Sequence, residues 1–361
     1  MNHEIWMRKA LELAEKGRYR VSPNPKVGAC VVRGGKLVGE GYHRFFGGAH
    51  AEIEALRQAG IRARGATLYV TLEPCSSWGK TPPCTQAIQK AGIAHVVMAM
   101  IDPNPLNQGK GVRFLKSQGI RVTQGILARE AAALNDSFCY WIKTGVPRVT
   151  LKMAQSLDGK IATVSGQSRW ISSEPARRYV QELRATHDAI LVGGNTALQD
   201  DPSLRVKGIP GASRLRPWRV VLDAKLKVPA SAKVFKGNPP ALRVVSEKEI
   251  RNVRKTLASG AMLIPVPEIR GRLDLNAALK TLGGLGISSL LVEGGGETAW
   301  SFLRAGVVHR VVWIVAPKFL GGRLAKTSLE GEGIADLSGA WSLKKMKISR
   351  LGPDLVIEGY L

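Results

Sequence analysis

His50-Ala51-Glu52, followed by Pro74-Cys75 and Cys84, offers one imidazole and two thiolates. Such a set of borderline and soft ligands suits a zinc ion and leaves its fourth tetrahedral position open to water, the arrangement of a catalytic rather than a structural centre. Water held there titrates near about pH 7, so hydroxide becomes available at neutral pH. Glu52 is not needed as a ligand and can take the water's proton and hand it to a departing amine. Eight residues, SSWGKTPP, separate the two cysteines, and this loop carries Lys80, a cation for an anionic substrate group. The plainer alternative is a structural zinc with a fourth protein ligand, for which only Cys30 and Cys139 remain, both on apolar segments.

A second candidate is Gly294-Gly295-Gly296, after an apolar strand and ahead of a helix expected near Thr298. Backbone N–H groups at such a turn can approach a pyrophosphate without Cβ obstruction, and the helix dipole adds attraction. A tight packing turn is the bland reading. No G-x-G-x-x-G follows a strand, so a Rossmann site is not supported.

Alternating strands and helices must position these residues. Helical spacing over 4–16, strands at 27–33 and 37–42, a helix at 50–59, and then strand–helix units at 67–90 and 95–117 form a first α/β layer. Strand 121–125 and one helix over 129–142 complete it. Gly145 and Pro147 stop that helix, so the domains divide as 1–144 and 145–361. The second domain restarts with strand 148–153, helix 174–185 and strands 189–192 and 219–223. Residues 203–270, rich in Pro, Gly and basic side chains, resist assignment. Helix 275–282, strand 289–292, helix 298–305, strand 310–315 and a terminal hairpin follow.

The chain has 361 residues, 44% of them hydrophobic, with a formal charge of +25. Disorder and fibres are excluded, and no apolar run approaches the roughly 18 residues of a membrane span. Four cysteines are too few for a disulfide framework, and the acidic, amphipathic start is not secretory, so a cytoplasmic location is expected. The basic excess is even: 20 basic and 10 acidic residues lie in 1–144, leaving 33 and 18 beyond. A basic nucleic-acid tail is therefore absent, and the charge reads as a background favouring anionic ligands.

The order H-x-E…P-C…C is similar to that of zinc deaminases, which have a shorter cysteine spacing. With Ser22-Pro23-Asn24-Pro25 upstream and Thr71-Leu72-Glu73-Pro74-Cys75 before the loop, it resembles the first half of the RibD family, the bifunctional deaminase/reductases of riboflavin biosynthesis. The resemblance continues through Ser156-Leu157-Asp158-Gly159-Lys160, Asp200-Asp201-Pro202 and Val292-Glu293-Gly294-Gly295, across nearly the whole chain. It implies a cytidine-deaminase-like αβα domain followed by a dihydrofolate-reductase-like domain. The implied reactions are hydrolytic removal of an amino group from a diaminopyrimidinone ribosylamine phosphate with Zn2+, then NADPH reduction of the ribose.

Carried over by position, Asn24, His43 and Lys80 resemble the pyrimidine contacts, Asn24 reading the ring's donor and acceptor edge. Ala154, Trp170, Thr196, Asp200, Gly294, Gly295, Gly296, Glu297 and Thr298 resemble the NADP-binding set. Ser168, Arg184, Leu204, Lys207 and Glu293 resemble the substrate set, with Arg184 facing a phosphate. Hydride addition needs a donor for charge growing on the heteroatom, and Lys152 and Glu293 are the candidates. Two positions depart from the family: Ser77 replaces a histidine of the cysteine loop, and Lys207 replaces an arginine, losing its bidentate fork. The partner is a phosphorylated small molecule, and the resemblance implies a homo-oligomer, dimer or tetramer. The rivals are a nucleic-acid base deaminase with a basic accessory domain and a zinc module without turnover.

Overall fold

The computed structural model describes residues 2–78, 82–212, 215–250 and 260–361, and the chain divides into two compact units, Met1–Gly145 and Val146–Leu361. Lys80 lies outside the described residues.

In the first unit the elements run α1 (His3–Glu15), β1 (Gly28–Arg33), β2 (Lys36–Tyr42), α2 (Ala51–Ala59), β3 (Thr67–Leu72), α3 (Cys84–Lys90), β4 (His95–Met100), α4 (Lys110–Ser117), β5 (Arg121–Gln124), α5 (Ala128–Leu134) and α6 (Asp136–Thr144). The strands form a sheet in the order β2-β1-β3-β4-β5, antiparallel on the β2-β1-β3 side and parallel from β3 to β5. Successive strand residues point to opposite faces. Ala29, Val31, Leu68 and Val70 accordingly pack with α2, α3 and α4, while Cys30, Val32 and Tyr69 pack with α1 and α5. Helices thus cover both faces of one sheet.

The single helix expected over 129–142 is two, α5 and α6. Asn135 breaks it because its buried side chain serves the chain elsewhere: Oδ1 accepts Lys26 N–H at 2.8 Å and Nδ2 donates to Lys26 O at 2.9 Å. Its φ of −114° leaves the helical range.

The second unit contains β6 (Arg148–Ser156), α7 (Glu174–Thr186), β7 (Ala189–Gly193), α8 (Gly194–Asp200), β8 (Trp218–Leu222), β9 (Leu242–Ser246), α9 (Glu247–Ile250), β10 (Met262–Val266), β11 (Glu268–Ile269), β12 (Arg272–Leu273), α10 (Leu275–Gly284), β13 (Ser289–Val292), α11 (Gly296–Arg304), β14 (Arg310–Ala316), β15 (Lys344–Leu351) and β16 (Asp354–Tyr360). Its main sheet runs β10-β9-β8-β7-β13-β6-β14-β16-β15, parallel from β10 to β14 and closed by the antiparallel terminal hairpin. One face packs on α10 and α11 through Leu279, Leu282 and Phe302, and the opposite face packs on α7 through Val180 and Leu183. Phe302 is 1% exposed, and truncating such a core aromatic costs about 3–5 kcal/mol.

Two expectations need correction here. The 203–270 stretch holds, besides β8 where strand 219–223 was expected, β9, α9, β10 and β11, and the helix expected near Thr298 already begins at Gly296. β9 evades a hydrophobic pattern because Arg243, its second residue, interrupts the apolar run, fully buried and bonded to Asp223.

Candidate metal centre and reductase cleft

In the first unit, β2 sets the height of α2. A Cβ on Gly41 would lie 2.5 Å from the Ala51 carbonyl, so only glycine lets the strand press against the first turn of the helix. That turn presents His50, the residue before the helix, and Glu52, which is 4% exposed. Cys75 follows β3, and Cys84 is the first residue of α3.

These elements bring His50, Cys75 and Cys84 together, with ligand atoms all within 4.8 Å of one another. His50 Nδ1 lies 3.2 Å from Cys84 Sγ and 3.5 Å from Cys75 Sγ. Tetrahedral zinc with N and S ligands places those atoms about 3.5 Å apart, so the cage has the size and the donor chemistry for zinc. Cys84 N–H also donates to Cys75 Sγ at 3.3 Å. That bond to sulfur, the Cys84 thiol's own and His50 favour a Cys75 thiolate: the Cys84 thiol, first among these, draws its pKa down to about 4 against burial, while Cys84 is pushed up. The Cys75 hydrogen bond holds His50 near 9, against burial. Without a cation the cage retains protons, and a divalent ion replaces them. Burial raises the pKa of Glu52.

Asn24 and His43 form a pair. His43 Nδ1 is 3.0 Å from the Ala49 carbonyl and therefore carries the proton, which leaves Nε2 to accept from Asn24 Nδ2 at 3.1 Å. Burial lowers the His43 pKa, in keeping with a neutral ring. Asn24 Oδ1 is then the acceptor left outside this pair.

Glu73 belongs to the Thr71–Cys75 segment that leads into the metal centre. Its buried carboxylate accepts N–H bonds from Asp102, Gly109 and Val112 at 3.1, 2.9 and 3.1 Å, tying the 102–109 loop and the start of α4 to the strand that precedes Cys75. Ser77, at the histidine's place, donates to Asn107 Oδ1 of that loop at 3.3 Å.

In the second unit an open cleft of about 1990 Å³ runs along the carboxyl ends of the parallel strands, where α/β sheets receive ligands. Lys152 and Ala154 share one face of β6, and Glu293 follows β13. Arg184, in the last turn of α7, forks onto Glu293 with bonds of 2.6 and 2.9 Å, and Lys152 Nζ stands 3.9 Å from the same carboxylate. Burial pushes the Glu293 carboxyl up, but Arg184 and Lys152 outweigh it and hold it below the usual range. Burial lowers Lys152, with Glu293 opposing. Arg184, expected beside a phosphate, is here engaged by a carboxylate.

The glycine turn divides by position. A Cβ on Gly294 would sit 2.5 Å from Thr298 Cβ, and one on Gly296 2.5 Å from the Thr327 carbonyl, so both are packing positions. On Gly295 it would meet nothing nearer than Thr196 Oγ1 at 3.6 Å. That open position at the start of α11 fits a dinucleotide phosphate. Glu297 and Thr298 form the first turn of α11, Thr196 sits in α8, and Asp200 ends α8 with Ser168 Oγ 3.5 Å from its carboxylate. Trp170 is 64% exposed at the cleft, with the Arg177 guanidinium 4.6 Å from its ring centroid. Leu204 is 2% exposed, its side chain in the core beside Val221, so it meets the cleft through its backbone. Lys207 lines the cleft, and its N–H donates to Gln181.

Residues 147–357 match the family model described as the RibD C-terminal domain, and residues 1–100 match the cytidine and deoxycytidylate deaminase zinc-binding region. The chain belongs to the RibD family. Among its relatives, the riboflavin biosynthesis protein RibD of Aquifex aeolicus is 45% identical over 98% of this chain and 96% of its own length, and that of Escherichia coli is 40% identical over 99% of both. The solved RibD of Acinetobacter baumannii superposes with a TM-score of 0.90 at 36% identity, covering 99% of this chain and 98% of its own. A Thermotoga maritima diaminohydroxyphosphoribosylaminopyrimidine deaminase/5-amino-6-(5-phosphoribosylamino)uracil reductase gives 0.85 at 34% identity over the same shares. The fold is that of the RibD family, a cytidine-deaminase-like domain followed by a reductase domain of the dihydrofolate-reductase type. Among the described residues no helix is long and apolar enough to cross a membrane.

Proposed function

We propose that the chain is a bifunctional enzyme of riboflavin biosynthesis. It first deaminates 2,5-diamino-6-(5-phosphoribosylamino)pyrimidin-4(3H)-one hydrolytically. It then reduces 5-amino-6-(5-phosphoribosylamino)uracil with NADPH to the ribitylamino 5-phosphate. The observation that carries the reading is the His50, Cys75, Cys84 cage with buried Glu52 beside it, in a chain of this family.

In the deaminase half, zinc supplies a Lewis acid that makes water a nucleophile at neutral pH. Glu52 takes the proton of the attacking water and delivers it to the amino group as the C2–N bond breaks and ammonia leaves. A buried carboxyl with a raised pKa suits both halves of that transfer. His43 fixes the side-chain amide of Asn24, whose Oδ1 accepts from the pyrimidine ring. Lys80 pairs with the anionic end of the substrate.

In the reductase half, NADPH supplies a hydride for C1′ of the ribose. Lys152, its pKa lowered by burial, protonates O4′ as the C1′–O4′ bond opens, which completes the balance of one hydride and one proton. Glu293 stays anionic and holds the Lys152 ammonium, and Arg184 orients Glu293. Gly295, with Thr196 beside it, Glu297 and Thr298 receive the cofactor phosphates, Ala154, Trp170 and Asp200 complete its site, and Ser168, the Leu204 backbone and Lys207 hold the substrate.

The domains divide at 144/145, and the enzyme works in the cytoplasm as a homo-oligomer, a dimer or tetramer. The test assays both half-reactions before and after zinc chelation: ammonia release is lost and returns with zinc, while NADPH oxidation on the deaminated substrate persists. Ammonia release that survives chelation would refute the zinc reading.

A further inference from the structure

Asp158, in the Ser156–Lys160 motif at the end of β6, stands outside the residues that line the large cleft. Its carboxylate collects donors from two distant parts of the chain. The buried Ser156 hydroxyl donates to Oδ1, Leu320 N–H lies 3.2 and 3.3 Å from the two oxygens, and Gly321 N–H donates to Oδ2 at 2.6 Å. The Ser156 bond, and then that of Gly321, hold the carboxyl down at about 2, so it is ionised at neutral pH. Other contacts continue the seam. Leu157 N–H donates to Lys318 O at 2.8 Å, Ile161 N–H to Lys326 O at 2.9 Å, and Ser328 N–H to Gly159 O at 3.2 Å. Lys160 Nζ donates to Ala325 O at 3.3 Å, and Lys160 pairs with Thr327 as an isolated antiparallel bridge. The turn that ends β6 is thereby stapled to the strap of residues 318–331 that follows β14.

The strap reaches the cleft. Leu324, Lys326 and Glu330 line it, and the strap backs onto the first residue of α11: a Cβ on Gly296 would lie 2.5 Å from the Thr327 carbonyl and 2.6 Å from Glu330 Cγ. At its other end Gly322 abuts Val164, a cleft residue of the loop after β6, where a Cβ would lie 2.6 Å from Val164 Cγ2. Both oxygens of Asp158 are used as acceptors. An asparagine of the same shape turns an NH2 group toward one of these donors, and donor facing donor forfeits the bond.

We propose that Asp158 is a positioning residue for the dinucleotide: by fixing the strap to the end of β6 it sets the cleft wall beside Gly296 and the first turn of α11. It touches neither cofactor nor substrate. The inference rests on the reading of this cleft as the NADPH site.

The test titrates the full-length zinc-loaded protein with NADPH by calorimetry and follows NADPH oxidation on the deaminated substrate in parallel. Asp158→Asn raises both Kd and KM for NADPH about tenfold, as expected when a cleft wall shifts by a fraction of an ångström. Turnover at saturating NADPH and KM for the uracil substrate stay within about twofold of wild type, the signature of lost cofactor binding rather than lost chemistry. Lys160→Met, which cuts the staple at Ala325, moves both constants in the same direction, and it decides alone if Asp158→Asn does not fold. Asp336→Asn, an equal loss of charge at an exposed position of the same unit, leaves both unchanged. A purely structural Asp158 lowers the melting temperature and kcat with Kd and KM unmoved, and that result overturns the proposal, as does wild-type NADPH affinity in both variants. Wild-type protein that binds no NADPH would instead refute the reading of the cleft.

Discussion

Arg184 closes a two-point fork on Glu293, with Nε 2.6 Å from Oε1 and Nη2 2.9 Å from Oε2 in a largely buried setting. Lys152 shares that carboxylate from 3.9 Å. Glu293 is thus the anion between two largely buried cations, and its charge opposes the lowering that burial imposes on the Lys152 pKa.

Glu293→Gln leaves both cations without their counter-charge, and removing one partner of such a group costs about 3–5 kcal/mol of stability. It also lowers the Lys152 pKa further. A step that needs protonated Lys152 slows as pH rises through that pKa, so the alkaline limb of reductase kcat moves to lower pH in the variant. The pH profile of NADPH oxidation measures this, and an unmoved limb assigns the proton to another group.

Gly295→Ala separates cofactor binding from packing. A methyl at this position meets no atom nearer than 3.6 Å, so the melting curve stays close to wild type. The same methyl stands where a dinucleotide phosphate approaches the start of α11, and KM for NADPH rises about tenfold or more with ammonia release unaffected. Gly294→Ala and Gly296→Ala lower stability instead, because their Cβ atoms would collide at 2.5 Å.

His95 gives the first unit an acid-sensitive element. Burial, then Arg121 and His3, depress its pKa from 6.5 to about 4, and the ring accepts from Arg121 while donating to Thr123. Between those values the unfolded chain takes up a proton that the folded unit excludes, so stability is full above about pH 6.5 and is lost as pH falls toward 4. His95→Gln removes that slope. Urea midpoints at about pH 7 and pH 5 will differ less in the variant than in wild type, and equal differences would count against His95.

What could be read from the sequence depended on how local the cause is. The zinc-ligand types and their spacing are local, and the positions His50, Cys75 and Cys84 meet in one cage. The break between α5 and α6 is not local, because Asn135 leaves the helix to bond Lys26, 109 residues earlier. β9 is not legible because Arg243 interrupts its apolar run and is paired with Asp223, 20 residues earlier in the chain. Glu73 gave no sign of its task, since its partners are backbone N–H groups of another loop. The fork from Arg184 to Glu293 likewise joins residues 109 apart, and a lone helical arginine gives no hint of it.

The most direct measurement pairs the two activities in zinc-loaded Glu52→Gln. Ammonia release from the diaminopyrimidine substrate falls by about 10²–10⁴, the range for loss of a general acid–base group. NADPH oxidation on the deaminated substrate stays within about twofold of wild type. Undiminished ammonia release, or loss of both activities in a folded protein, would contradict two separate sites with Glu52 as the proton carrier of the first.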